Sequence, residues 1–325
     1  MARTQKEVIE WATKQGMKAM RQQEERNVKA LLSAFEVARD RLRQKLAVIF
    51  EQAGDAWDLG TMEMTDRNAT LAAEIERVIN DLRNQLTGGI TSAAVEQYQE
   101  SLLRAAYMLD QATPSNIAIN VPVIPLEAAH ALVATPYRGA MFSQRIGMIS
   151  NAMASDIRDE LLQSMINGES MRDAAKRIEG VLGIDGEDSY WARANAIART
   201  EIMRAQNMGR TSIYDDNRDI MEDSDEWVAT EDDRLCEWCM RRDGMTMDEI
   251  EKAPYYDDPW ENSTDLPLHP HCRCTSAPNL KSWKDLGIDI PDDYGDEERA
   301  QRNEDGKWTI ASATDYEDWK KERVF

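Results

Sequence analysis

Between Lys6 and Gln52 the apolar residues Val28, Leu31, Leu32, Phe35, Ala38, Leu42, Leu46 and Ile49 recur at steps of three and four. That spacing lays one apolar stripe along a helix and predicts one or two long helices here, with Arg and Glu filling much of the opposite side. Gly54 and Gly60 break the pattern. From Asp66 to Leu86, the residues Leu71, Ile75, Val78, Ile79 and Leu82 share one face and predict a second helix. Gly88-Gly89 is expected to stop it, and Thr91-Ser92 to cap a third helix reaching Gln111.

The texture changes between Thr113 and Pro136. Pro114, Pro122, Pro125 and Pro136 interrupt a stretch carrying Ile117, Ile119, Val121, Val123 and Ile124, which reads as an extended linker or short strand. Helical spacing resumes over 137–166, again after Gly168 with Ser170 as the cap (Met171, Ala174, Ala175, Ile178 and Leu182, ending at Gly183), and from Ser189 to Tyr214. After Asn217 it is lost. Glu226 to Thr230 reads as a strand, and Lys307 to Ile310 as one more short strand.

The fold class expected is mainly α, with long N-terminal amphipathic helices and a small α+β, zinc-stapled C-terminal module. The expected organisation is a helical N-terminal region over 1–113 for partner docking, a Pro-rich linker over 114–136, a second domain over 137–280 containing the module at 226–276, and an acidic tail over 281–325. The tail is expected to order only on binding. A length of 325 residues allows about two domains at roughly 100–200 residues each.

No apolar run reaches the roughly 18 residues of a membrane-spanning helix. The opening residues lack a signal-peptide apolar core. We therefore expect no membrane contact and a chain that stays in the compartment where it is made. The net charge of −21 places a DNA-coating role at a disadvantage, because such proteins gain affinity by neutralising phosphates. Local basic faces remain open.

The four cysteines, Cys236, Cys239, Cys272 and Cys274, all lie in one short window. Cys236-Glu237-Trp238-Cys239 is a C-x-x-C pair, followed by His269-Pro270-His271-Cys272-Arg273-Cys274. Zinc takes four thiolate or imidazole ligands in a tetrahedron, and two close pairs joined by a loop supply them. The candidate donors are Cys236, Cys239 and His269, plus one of Cys272 or Cys274, for one structural Zn2+ per chain. A thioredoxin-type redox pair would need no second cluster, and two disulfides would need an oxidising compartment. A catalytic zinc would need an open position, which this many donors would close.

Other groups are weaker. Ala198-Arg199-Thr200-Glu201, Arg204 and Asn207 share a helix face. They read either as a salt-bridged surface or polar contact to the neighbouring strand, or as a polar network locking this helix to the zinc module. His130, between Ala129 and Ala131, is expected to be packed. Trp227 and Trp238 are expected to fill the module's small core. A phosphate loop, a nucleophile elbow and an H-E-x-x-H motif are all missing, so no catalytic residues and no small-molecule substrate are expected.

The order of motifs resembles one family. Ala198-Arg199-Thr200-Glu201, Arg204-Ala205-x-Asn207, Trp227-x-Ala229-Thr230-x-Asp232-x-Arg234-x-Cys236-x-x-Cys239, Gly244 and His269-Pro270-x-Cys272-Arg273-Cys274 are similar to the phage head morphogenesis family, which includes the phage Mu F protein and the phage SPP1 minor head protein. The resemblance covers roughly 140 to 280. Leu268 stands where the family has proline, and His271 where it often has Asn. The resemblance implies a non-enzymatic minor capsid component, made in the host cytoplasm and located inside the virion near the portal. It further implies contact with the portal protein or the major capsid protein, at most weak contact with packaged DNA, and an effect on packaging or delivery. Two rivals stand beside it. One is a zinc-dependent nucleic-acid-binding module using Arg234, Arg241, Arg242 and Arg273, opposed by Glu231, Asp232, Asp233 and Asp243. The other, ranked last, is a zinc hydrolase.

Overall fold

The structure is a computed structural model that describes residues 3–53, 64–113, 117–122, 125–167, 169, 171–183, 186, 188–230, 234–253, 258–282, 284–287, 293–294, 298–302, 308–312 and 316–323. Gly54, Gly60, Pro114, Val123, Ile124, Gly168, Ser170 and the acidic run 231–233 lie outside the described residues, as do the side chains of Leu46 and Ile49 in the apolar stripe.

In chain order the elements are β1 (Arg3–Thr4), α1 (Gln5–Ala53), α2 (Met64–Ala112), α3 (Leu126–Val133), α4 (Phe142–Ile166), α5 (Met171–Val181), α6 (Tyr190–Asp216), β2 (Glu226–Val228), α7 (Glu237–Arg242), α8 (Met247–Lys252), β3 (Thr275–Ala277), β4 (Asp293–Tyr294), β5 (Glu298–Arg302), β6 (Trp308–Ser312) and α9 (Tyr316–Arg323). The chain is mainly helical, and its strands form two-stranded antiparallel ladders. No helix among the described residues is long and apolar enough to cross a membrane.

Four expectations are corrected. The Gly88-Gly89 pair does not end a helix, because α2 runs through it from Met64 to Ala112. A Cβ at Gly89 would lie 2.6 Å from Leu31 Cδ2, so the missing side chain serves close approach of α1. Thr91 caps nothing; its hydroxyl bonds back to the Thr87 carbonyl at 2.9 Å, within the same helix. The proline-rich stretch is not extended throughout, since it contains α3. Pro125 immediately precedes that helix, its carbonyl accepting from the amides of Ala128 and Ala129 at 3.0 and 3.1 Å, and at this end the N–H that proline lacks has no intrahelical partner to lose. On α3 it is Ala129 that is buried, and His130, expected to be packed, is exposed.

The chain divides into two compact units, each gathered from separate stretches. One comprises Glu25–Ala93 and Ala134–Glu201. Its core joins Phe35, Leu42, Ile75, Ile79 and Leu82 to Ile146, Ile157, Leu161 and Ile178, all nearly inaccessible. Fully burying each such side chain contributes about 1.5–3 kcal/mol. Its polar side is fixed by Arg177, which forks onto Glu169 at 2.6 and 2.7 Å and reaches Glu160 at 2.9 Å.

The other unit comprises Met1–Glu24, Ala94–Val133 and Ile202–Phe325. Here α2 and α6 approach so closely that a Cβ at Gly209 would sit 2.3 Å from the Tyr98 carbonyl oxygen. Tyr98, Leu109, Ile213 and Tyr214 fill the interior around them. Asn217, at the end of α6, clips the stretch before α3: it accepts from the Asn120 amide at 2.8 Å and donates to the Asn120 carbonyl at 2.9 Å. The acidic tail is not featureless. Trp319 of α9 is buried, and its indole N–H donates to Asp110 of α2 at 3.1 Å. Of the strand read at 307–310, Trp308–Ile310 falls on β6, paired with β5, and Lys307 lies outside the described residues.

Candidate metal centre

The module begins where α6 ends. β2 and β3 pair antiparallel with Trp227 opposite Ser276 and Val228 opposite Thr275, so the residues after β2 meet those before β3. A third edge comes from the turn after α7, where Trp227 N donates to Met245 O at 2.8 Å and Gly244 N to Trp227 O at 2.9 Å. Gly244 sits at φ +76, which suits a residue without a Cβ. Cys236 caps α7, its sulfur accepting from the Cys239 amide at 3.4 Å, and this turn carries both thiols of the C-x-x-C pair to one side.

The opposing hairpin is set by the turn from His269 to Cys272, whose amide donates to the His269 carbonyl at 3.0 Å. His271 lies in this turn at φ 62. That left-handed conformation favours Asn and tolerates His better than bulkier residues, which fits the Asn found there in the resembling family.

All five candidate donors converge. They form two triads that share Cys239: Cys236, Cys239 and His269 in one, Cys239, Cys272 and Cys274 in the other. Within each triad the donor atoms lie within 4.8 Å of one another. His269 Nε2 is 3.1 Å from Cys236 Sγ and 3.3 Å from Cys239 Sγ. Cys239 and Cys272 sulfurs are 3.8 Å apart, close to the edge of about 3.8 Å that a tetrahedron of sulfurs at Zn–S distances of about 2.3 Å requires. His269 Nδ1 lies 2.8 Å from the Pro270 carbonyl, a contact that places the proton on Nδ1 and leaves Nε2 facing the thiols with its lone pair. The donors fit a thiophilic metal ion. All four cysteines are free.

The electrostatics are those of crowded thiols. Hydrogen bonds from Cys239, then Cys274, hold Cys272 well below the usual thiol range. Cys239 is pushed up, first by its bond to Cys272, then by that to Cys274 and by burial. A cation would relieve the crowding by taking its cysteine donors as thiolates.

The support around the donors is polar as well as apolar. Trp227, Ile250 and Leu268 are fully buried against Cys239, Cys272 and Cys274. Arg242 is buried too, in an ion pair with Asp258 that is closed to solvent on both sides. Arg242 also donates to the Trp238 carbonyl at 3.1 Å and lies over the Trp227 ring, 5.8 Å from its centroid. Asp258 in turn accepts from the amides of Trp260 and Asn262 at 2.9 and 3.1 Å, and the Trp260 ring stands 5.9 Å from that of His269. One buried pair thus links the C-x-x-C helix to the loop that backs the histidine.

Of the helix-face residues, Asn207 reaches the module. It donates to the Cys274 carbonyl at 3.2 Å and accepts from the Thr275 hydroxyl at 2.7 Å, while Tyr214 donates to the Ser276 carbonyl at 3.3 Å. Glu201 turns the other way, 3.6 Å from Arg145 of α4. The face therefore divides between the two readings offered for it.

The cationic cluster read from the sequence does not assemble as a patch. Arg242 is buried against Asp258, and Arg241 pairs with Glu237 and lies over the Trp238 ring. Arg273 instead lines a cleft with Lys14, Lys18 and Arg21 of α1. Sequence reading missed those three, although their spacing along one helix face was visible. It also missed Asp258 and Trp260, which carry no spacing signal.

Residues 155–277 match the family model for Phage Mu protein F-like proteins. The F-like segment runs from within α4 to the end of β3 and holds all five donors and Asn207. The match falls within the stretch, roughly 140 to 280, over which the order of motifs resembles that family. No curated protein and no solved structure matches the chain.

Proposed function

We propose that this chain is a minor capsid protein of a tailed bacteriophage, acting in head morphogenesis inside the capsid at or near the portal and affecting genome packaging or delivery. The F-like match over 155–277 carries this reading. The F-like segment's thiol and imidazole donors belong to the same reading as holders of one structural Zn2+, through Cys236, Cys239, His269 and one of Cys272 or Cys274. Zinc bound there would supply a crosslink between the α7 turn and the hairpin before β3, not a Lewis acid, because protein donors would fill its four positions. We read the role as non-enzymatic, because that saturation would leave the ion no open position for catalysis. The portal protein or the major capsid protein is the expected partner, with the long helices as docking surface.

The test joins two measurements. Elemental analysis of purified protein is expected to give about one zinc per chain, as structural sites hold their ion through purification. A tagged chain recovered from infected cells is expected to carry portal or major capsid protein. Recovery of neither head component would sink the assembly role, and absence of metal with intact folding would sink the zinc role.

A further inference from the structure

A cleft of about 440 Å3 opens between α6 and the cysteine module. Leu132 of α3, Met208 of α6, Met247 of α8 and Leu266 give it apolar lining. Three carboxylates, Asp215, Asp225 and Asp265, line it as well, and no Lys or Arg does. Arg218, which is not part of the lining, forks onto Asp225 at 2.7 and 3.0 Å and reaches Asp215 at 3.4 Å. One guanidinium thus answers two of the carboxylates, and Asp265 has no cationic partner among the described residues. Between Ile202 and Asp293 the residues outside the described ones, 231–233, 254–257, 283 and 288–292, include no Lys or Arg that could supply one. Ser276 of β3 lines the cleft too and is only 5% exposed. Tyr214 occupies its carbonyl, while its hydroxyl has no partner among the described residues.

We propose that this cleft binds a basic segment of a protein partner, the stem of an Arg or Lys side chain packing along Met208, Met247 and Leu266 while its charged head meets Asp265 and donates to the Ser276 hydroxyl. Long cationic side chains bury their methylene stems on apolar surface and keep the head among polar groups, a division that matches this lining. Flexible thioethers adapt to such a stem more readily than branched side chains do. A bare metal ion fits less well, because the three carboxylates do not gather within 4.8 Å of one another. The net charge of −21 draws a basic segment toward the chain from a distance. Carboxylates within a Debye length of about 8–10 Å then select where it lands. Charge complementarity of this kind sets partner choice and on-rate more than raw affinity, so a weak and salt-sensitive interaction is expected. The proposal adds the chemistry of a partner to the head-assembly reading. Its assay uses isolated protein, so it can fail while the metal and family readings stand.

The experiment is fluorescence anisotropy with the full chain and two labelled probes: a short peptide of Arg and Lys interrupted by Leu, and the same peptide with Glu replacing the basic residues. The basic peptide is expected to bind, less tightly as salt rises, and the acidic one not to. Exchanging Leu for Ser should weaken binding. Asp265→Lys, a reversal at an exposed position checked by circular dichroism, should weaken it about tenfold or more. Thr211→Lys, at an exposed position of α6 in the same cleft, should do likewise. Asp188→Lys makes the same charge change as Asp265→Lys on an exposed residue of the other unit, and should weaken binding by no more than about twofold. Absence of peptide binding, or binding indifferent to Asp265→Lys and Thr211→Lys, would overturn the proposal. Equal weakening by Asp188→Lys would overturn it by reducing the attraction to the charge of the whole chain. Displacement of the peptide by an equal concentration of putrescine would also overturn it, making the cleft a small-amine site.

Discussion

Asn207 of α6 donates to the backbone carbonyl of Cys274 at 3.2 Å, tying a helix to a metal-donor residue 67 positions later in the sequence. The same side chain accepts from Thr275 at 2.7 Å, so both ends of one buried amide are used. Replacing Asn207 with Ala leaves a buried carbonyl and a buried hydroxyl without this partner. Asn207→Ala is expected to destabilise the protein by about 2 kcal/mol or more, given about 1–3 kcal/mol for each buried group left unmatched. Urea unfolding measures this, and an unchanged midpoint would contradict it.

Removing the metal should act locally. Because the module's apolar core is small, Cys236→Ser/Cys239→Ser or a strong chelator is expected to loosen 226–276 first, shifting the emission of buried Trp227 and exposing the chain to protease there. The core around Ile75, Ile79 and Ile146 should stay folded, as helical circular dichroism would show.

Arg242 and Asp258 form a pair closed to solvent. Losing one partner strands a buried charge, so Arg242→Met and Asp258→Asn should each cost about 3–5 kcal/mol, more than removing both together. A thermal-melting double-mutant cycle reads the difference. A double-variant loss equal to the sum of the two single losses would show that the two act independently and would contradict the prediction.

Glu169 has its pKa lowered from 4.5 to about 2, first by Arg177 and then by Asn167 and Ser164. A carboxylate with a depressed folded pKa binds its proton more readily in the unfolded chain. Its stabilising effect is therefore complete above pH 4.5 and is lost as pH falls from there toward 2. Glu169→Gln is expected to flatten that part of the stability profile, measured as denaturant midpoints against pH. A profile unchanged by the substitution would rule the effect out.

Trp319 anchors α9 through Asp110, beside Tyr107 at 5.6 Å between ring centroids. Eight residues make too short a helix to persist undocked. Trp319→Ala should therefore release α9, seen as selective proteolysis of the C-terminal segment with the melting of the remainder little changed.

How much of this was legible in the sequence depended on the range of the signal. The apolar stripe of α1 and the faces of α2, α5 and α6 were readable because period and burial coincide, as at Leu71, Ile75, Val78 and Leu82. The five donors were readable because metal ligation needs particular atoms at short spacings. Gly88-Gly89 misled because a glycine pair breaks an isolated helix but also lets two helices meet, and only the position of Leu31 tells which. Pro125 misled similarly, since a proline that stops one helix can begin another. Arg242 was read as a nucleic-acid-facing cation because nothing local announces Asp258, and the docking of Trp319 was not legible because a lone tryptophan in a polar tail has no period to report.

The interleaving of chain segments has a consequence for synthesis. The unit that contains residues 1–24 also requires 94–133 and everything from Ile202 onward. On a ribosome, the opening turns of α1 emerge before the second half of α2 and long before α6, so the later of their packing partners are the last to exist. Pairings of such long sequence separation are slow to form and leave apolar surface open meanwhile. Residues 3–24 are thus made well before the partners beyond Ile202 that complete their unit, and that interval is the time of greatest exposure to misassembly.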